Sequence, residues 1–170
     1  MKNAIIVTIF CVIISYCFLS CTNKDKKTVL LVKNELAKTL VNPEIIDIID
    51  QTKLFKLAKS DDVIDEKLKS EISGCGMSIS FFRPSLNAKQ SDLPSSGLSY
   101  KEFRDDTRKW FQNGIMNMDS ICEKNKIYPS YYAAKYKIRV KDNVGNYKIL
   151  EIWYFFNKDI DKIEDSIYLE

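Results

Sequence analysis

The chain contains no histidine among its 170 residues. This absence excludes a serine–histidine triad, a cysteine–histidine pair and a histidine-bound zinc site. No internal repeat is apparent, and basic and acidic side chains nearly balance, with 26 against 23. The composition therefore gives no indication of a nucleic-acid-binding protein, and we expect neither a cofactor nor a metal site.

The first 20 residues have the composition of an export signal. Lys2 precedes an apolar stretch over residues 4–19, and the small Ser20 stands directly before Cys21. The sequence FLSC resembles the end of a bacterial lipoprotein signal, in which the cysteine receives a diacylglycerol and becomes the mature N-terminus. The resemblance implies lipidation of Cys21 with fatty acids such as palmitate, an extracytoplasmic location and anchoring to a membrane of the cell envelope.

Two other interpretations of this segment stay open. One is an uncleaved membrane helix, although the apolar run of 16 residues is shorter than the roughly 20 that a span needs. The other is an ordinary secretory signal. Under the lipoprotein interpretation, residues 1–20 are removed, residues 21–27 form a polar tether, and residues 28–170 are long enough for a single domain with a real core.

Two cysteines remain in that domain, Cys75 and Cys122. Disulfides persist outside the cytoplasm, so the two residues are a candidate bridge. The alternative is a pair of buried thiols that behave as small apolar side chains. The sequence leaves both alternatives open.

Helical patterns dominate the first half of the domain. Apolar spacing predicts helices over residues 28–41, 44–59 and 62–73, and the alternation of MSISFF predicts a short strand over 77–82. A loop over 85–98 is a candidate flap or partner-contact site, or a solvated connector. The capping box of Ser99 and Glu102 begins a further helix that we expect to end at Gly114.

Strands are predicted from there to the end of the chain. Residues 115–127 are ambiguous and are assigned to a strand, whereas 131–141, 147–156 and 162–169 alternate clearly. A three-residue loop ending at a left-handed Gly145 would place Lys137 opposite Glu151 and Lys135 opposite Trp153. In this register Tyr136, Ile138, Leu150 and Ile152 share an inner face.

The expected fold is α+β, with N-terminal helices packed on a curved antiparallel C-terminal meander sheet. The order of elements over residues 99–170 resembles the cystatin-like and nuclear transport factor-like cone folds, in which a curved sheet wraps a long helix. Such folds host many functions, so the resemblance does not decide between them.

One acidic residue interrupts the apolar face of the last strand. Asp165 alternates with Ile163, Ile167 and Leu169, and an unpaired carboxylate on a buried face is unfavourable. The predicted register puts it on the face of Tyr132, Tyr136 and Tyr154. A carboxylate base beside tyrosine hydroxyls resembles the site of ketosteroid isomerases, which share the cone fold; alternatively, Asp165 binds a backbone amide or a tyrosine hydroxyl, or the strand is shifted by one residue.

The opposite face of the first long strand is basic. Lys135, Lys137, Arg139 and Lys141 alternate along it. They form either a solvated outer face or a patch for anionic headgroups or glycans.

Three classes of function follow from these observations. The leading hypothesis is a lipid-anchored, non-catalytic envelope domain that binds a small ligand or a protein partner. The second is a small enzyme that uses Asp165 with a tyrosine in a cone cavity, and the third is a structural or assembly lipoprotein. The absence of a catalytic constellation favours the first.

Overall fold

The computed structural model describes residues 24–38, 47–88, 99–141 and 145–169. The predicted export signal, Cys21 and residues 89–98 of the predicted loop lie outside these ranges. Across the described ranges, no helix combines the length and the apolar character that crossing a membrane requires.

The architecture is α+β, as the sequence predicts: three helices and a curved, unclosed sheet of five antiparallel strands. The helices are α1 (24–38), α2 (Glu66–Phe82) and α3 (Tyr100–Lys124). The strands are β1 (Asp47–Gln51), β2 (Phe55–Leu57), β3 (Tyr131–Lys141), β4 (Tyr147–Asn157) and β5 (Ile163–Leu169). Two short 3-10 turns, Ser60–Asp62 and Pro84–Asn87, flank α2.

Strand β3 lies at the centre of the sheet. Strands β1 and β2 pair with successive parts of one of its edges, β4 pairs with the other edge, and β5 pairs with β4. The predicted register between β3 and β4 is confirmed, because Lys137 lies opposite Glu151 and Lys135 lies opposite Trp153. Gly145 has φ = +93°, the left-handed conformation expected of the hairpin turn.

Helices cover the sheet on both faces. The face that carries Tyr136, Ile138 and Ile152 packs against Val32 and Leu36 of α1. The opposite face carries Ala133 and Trp153, and it packs against α2 and α3. The predicted inner face is therefore buried, and so is part of the face expected to be outside.

The prediction of a helix over residues 44–59 is wrong for the residues that the structure describes, because these residues form β1 and β2. Phe55 and Leu57 are buried against the core, while the backbone N–H of Lys56 donates to Oδ1 of Asp119 at 2.7 Å. Oδ2 of the same carboxylate accepts from Nζ of Lys53 at 2.5 Å. Contacts with α3 and pairing with β3 thus override the helical pattern.

Two further predictions are wrong in the opposite sense, because the C-terminal parts of α2 and α3 were expected to be strands. Residues 77–82, expected to be a strand, are the last turns of α2, and residues 115–124 continue α3 instead of starting a strand. Gly114 does not end the helix; it lets α2 approach, because a Cβ there would lie 3.0 Å from Cγ1 of Ile79. The capping box of Ser99 and Glu102 begins α3 as predicted.

Residues 24–27, predicted to belong to the tether, are helical and contact the sheet. Nζ of Lys24 donates to the hydroxyl of Tyr132 at 3.1 Å, and Nζ of Lys27 donates to the carbonyl of Asp159 at 2.9 Å. The folded domain therefore includes these residues.

Candidate functional site

Three aromatic side chains form a partly exposed cluster on the outer side of α2 and α3. The rings of Phe82 and Trp110 stack with centroids 6.2 Å apart, and Phe81 meets Phe82 edge-on at 5.1 Å. Phe81 is 75% exposed and Trp110 is 55% exposed. Large apolar side chains grouped in this way mark a contact surface more often than scattered ones do.

The cluster stands at one end of a groove between the two helices. The groove encloses about 540 Å³ and runs from Trp110 toward Glu71 and Ile121. Its floor is built from small and amide side chains: Gly74, Ser78, Asn113, Gly114, Asn117 and Ser120. A floor without bulky side chains leaves room for a partner's side chains, and the amides and hydroxyls offer hydrogen bonds.

This cluster was not predicted from the sequence. Trp110 and Phe111 are consecutive, and consecutive helical residues point about 100° apart. Phe111 is fully buried, whereas Trp110 faces solvent. The buried stripe of α3 runs through Thr107, Phe111, Ile115, Met118 and Cys122. Extending the helix to Lys124 would have revealed that spacing and left Trp110 outside it.

Of the candidate disulfide residues, Cys75 is partly buried and lines the groove, whereas Cys122 is buried in the core. Cys75 packs against the cluster that contains Cys122, and both are free thiols. Burial raises the pKa of Cys75, and it raises the pKa of Cys122 to about 11. The two residues therefore behave as apolar packing groups with little thiolate at neutral pH.

Asp165 does not lie with the tyrosines, and this prediction is wrong. The pairing of β4 with β5 shifts between Phe155 and Phe156, so that Asp165 is opposite Phe155. Its carboxylate forms a salt bridge with the guanidinium of Arg83 at the end of α2. The candidate base is thus separated from the candidate hydroxyls by the sheet itself.

The three candidate tyrosines do share a face, as predicted, but α1 covers it. Tyr136 and Tyr154 are fully buried and meet edge-on at 5.7 Å, with Tyr132 nearby under Lys24. Burial raises the pKa of Tyr136 to about 12, and it raises the pKa of Tyr154 as well. The hydroxyls of Tyr136 and Tyr154 are core groups that stay protonated at physiological pH.

The basic stripe on β3 faces several carboxylates. Lys135 lies 3.6 Å from Glu151, and Arg139 lies 3.8 Å from Asp47. Lys137 is opposite Asp50 in the pairing of β1 with β3. Most of the stripe is therefore locally compensated, as a solvated face would be.

Within the described ranges, no group of three or more Cys, Asp or Glu residues is arranged to hold a metal ion. Comparison of the chain with protein-family models, with curated proteins and with solved structures found no match. The resemblances to lipoprotein signals and to the cone folds stay predictions.

Proposed function

We propose that this protein is a lipid-anchored, non-catalytic domain of the bacterial envelope that binds a protein partner through the groove between α2 and α3. The single observation that carries the proposal is the exposed cluster of Phe81, Phe82 and Trp110 at the end of that groove. The anchor is inferred from the sequence around Cys21.

The chemistry of the surface favours a protein over a small molecule. Tryptophan and phenylalanine are enriched at protein interfaces, where a few aromatic side chains supply most of the binding free energy. The groove is open to solvent, whereas small-molecule sites enclose most of their ligand. An amphipathic helix or an extended segment would place apolar side chains against Trp110 and polar groups over Asn113 and Asn117.

A photo-crosslinking amino acid at position 110 tests the partner-binding surface. The matched control is position 147, because Tyr147 is also aromatic, is 61% exposed, and belongs to β4 and not to the lining of the groove. We expect a discrete crosslinked protein from position 110 in cells and none from position 147. Equal crosslinking from both positions, or none from either, would contradict a partner at the groove.

The captured partner then allows a quantitative test. Replacing Trp110 by Ser should weaken binding by roughly 30-fold, since an interface hot spot contributes about 2 kcal/mol or more. The fold should survive, because the side chain is half-exposed and surface substitutions have small effects on stability. An unchanged affinity would place the partner elsewhere.

The anchor has its own experiment. Replacing Cys21 by Ala should abolish metabolic labelling with a fatty-acid probe, whereas replacing Cys75 by Ala should leave the label in place. A persistent label in the Cys21→Ala protein would remove the lipoprotein part of the proposal.

A further inference from the structure

A second concave surface lies at the end of the domain away from the start of α3. The connection from α3 to β3, the turn from β4 to β5 and the 3-10 turn before α2 meet there around a cleft of about 700 Å³, which we call the Tyr128 cleft. Its lining includes Lys59, Asp62, Ile64, Lys126, Tyr128 and Lys158. The groove proposed for the partner does not include any of these residues.

Two apolar side chains stand out from this cleft into solvent. Ile64 is 97% exposed, and Tyr128 is 74% exposed. An isoleucine that is almost wholly in water gains nothing from the fold, whereas it would bury apolar area if the surface met a bilayer. Tyrosine is enriched at the level of lipid headgroups, where its ring and hydroxyl are both accommodated.

Lysines surround these two side chains. Lys59, Lys126 and Lys158 line the cleft together with Asp62 and Asp159. The three lysines exceed the two carboxylates of the lining by one charge, so the cleft carries a small positive excess. Each lysine held near an anionic membrane adds about 1 kcal/mol of attraction.

The N-terminal helix delivers the chain to the same end of the domain. Lys27 of α1 donates to the carbonyl of Asp159, which lines the cleft, and Lys24 reaches Tyr132 at the start of β3. Three residue steps separate Lys24 from Cys21, a reach of at most about 11 Å. A lipid on Cys21 would therefore hold this end of the domain against the membrane surface.

We infer that the Tyr128 cleft rests on the bilayer and takes anionic phospholipid headgroups between its lysines, with Ile64 and Tyr128 entering the interface. The inference rests on the proposed lipid anchor. The inferred docking also orients the groove. The C-terminal end of α3 points toward the membrane, and Trp110 lies about 22 Å from Asn125 toward the N-terminal end of the helix. The Trp110 end of the groove thus lies away from the lipid, whereas its Ile121 end lies nearer to the membrane.

The test uses the full lipidated protein reconstituted into vesicles. An environment-sensitive dye is attached to a cysteine at position 64, and the control carries it at position 149, where Ile149 is 54% exposed. Position 149 lies about 27 Å from the cleft along β4. The unsubstituted protein gives the background from Cys75 and Cys122.

In vesicles that contain phosphatidylglycerol, we expect the dye at position 64 to be shielded from an aqueous quencher and the dye at position 149 to stay accessible. The double change Lys126→Gln and Lys158→Gln should lower the ratio of docked to undocked domain about fivefold for each lysine. The matched change Lys137→Gln and Lys141→Gln, at the far end of β3, should leave it unaltered.

Three results would overturn the inference. Equal accessibility at positions 64 and 149, in protein that still floats with the vesicles, rejects the docked orientation and leaves the anchor standing. Equal shielding in phosphatidylcholine vesicles rejects anionic headgroups as the occupant. Failure to float with either kind of vesicle rejects the anchor and the orientation together.

Discussion

Replacing Asp119 by Ala should destabilise the fold by about 2–4 kcal/mol. The carboxylate is nearly buried on α3, and its loss removes the acceptor of the Lys56 backbone N–H. A charge-assisted hydrogen bond of this kind contributes about 1.5–3 kcal/mol, and the orphaned donor adds a desolvation penalty. The ion pair with Lys53 adds less than about 1 kcal/mol, because the lysine side chain is 64% exposed.

Urea unfolding of the purified protein measures this loss of stability. Asp119→Asn keeps one oxygen acceptor for the Lys56 N–H, so we expect it to recover most of the stability. Lys53→Ala should lower stability by less than about 1 kcal/mol. The reasoning fails if Asp119→Ala changes the free energy of unfolding by less than about 0.5 kcal/mol, or if Lys53→Ala is equally damaging. The first result would mean that β1 and β2 do not depend on the buried carboxylate, and the second would mean that the ion pair with Lys53, not the hydrogen bond to Lys56, carries the stabilisation.

Three other outcomes follow from the sheet and the core. Ile138→Asp should unfold the domain, whereas Lys137→Ala should change stability by less than about 1 kcal/mol; a larger effect of the lysine change in urea unfolding would contradict the assigned faces. Because the pKa of Tyr136 is raised to about 12, the unfolded chain releases this proton first above about pH 10, and stability should fall by up to about 1.4 kcal/mol per pH unit as pH rises toward 12. Tyr136→Phe should reduce that slope, and an unchanged slope would show that other groups cause it. Mass spectrometry of the non-reduced protein after denaturation and alkylation should find Cys75 and Cys122 both alkylated, and a linked peptide would refute the free thiols.

The sequence by itself determined the C-terminal half of the sheet. Alternation along residues 131–141 and 147–156 is a local pattern, and only one register buries Tyr136 and Ile152 while leaving the lysines outside. The start of α3 was equally local, because a capping box needs only Ser99 and Glu102. Such features are predictable because the interacting residues are close in sequence.

Tertiary structure decided the segments that the sequence analysis assigned wrongly. Strands β1 and β2 pair with β3 about 80 residues later, so their own helical spacing carried no sign of that partner. Residues 77–82 alternate like a strand, yet they are helical because α2 packs closely over Gly114 of α3. Non-local pairing and packing outweigh weak local preferences at these positions.

The candidate sites depended on the same non-local information. A shift in the pairing of β5 moves Asp165 to the face opposite the tyrosines, since a single extra residue in a strand inverts the side chains that follow. The exposed cluster exists only because α2 extends to Phe82 and α3 turns Trp110 toward it. Sequence alone named the aromatic residues, whereas the packing of the two helices decided that they meet at the surface.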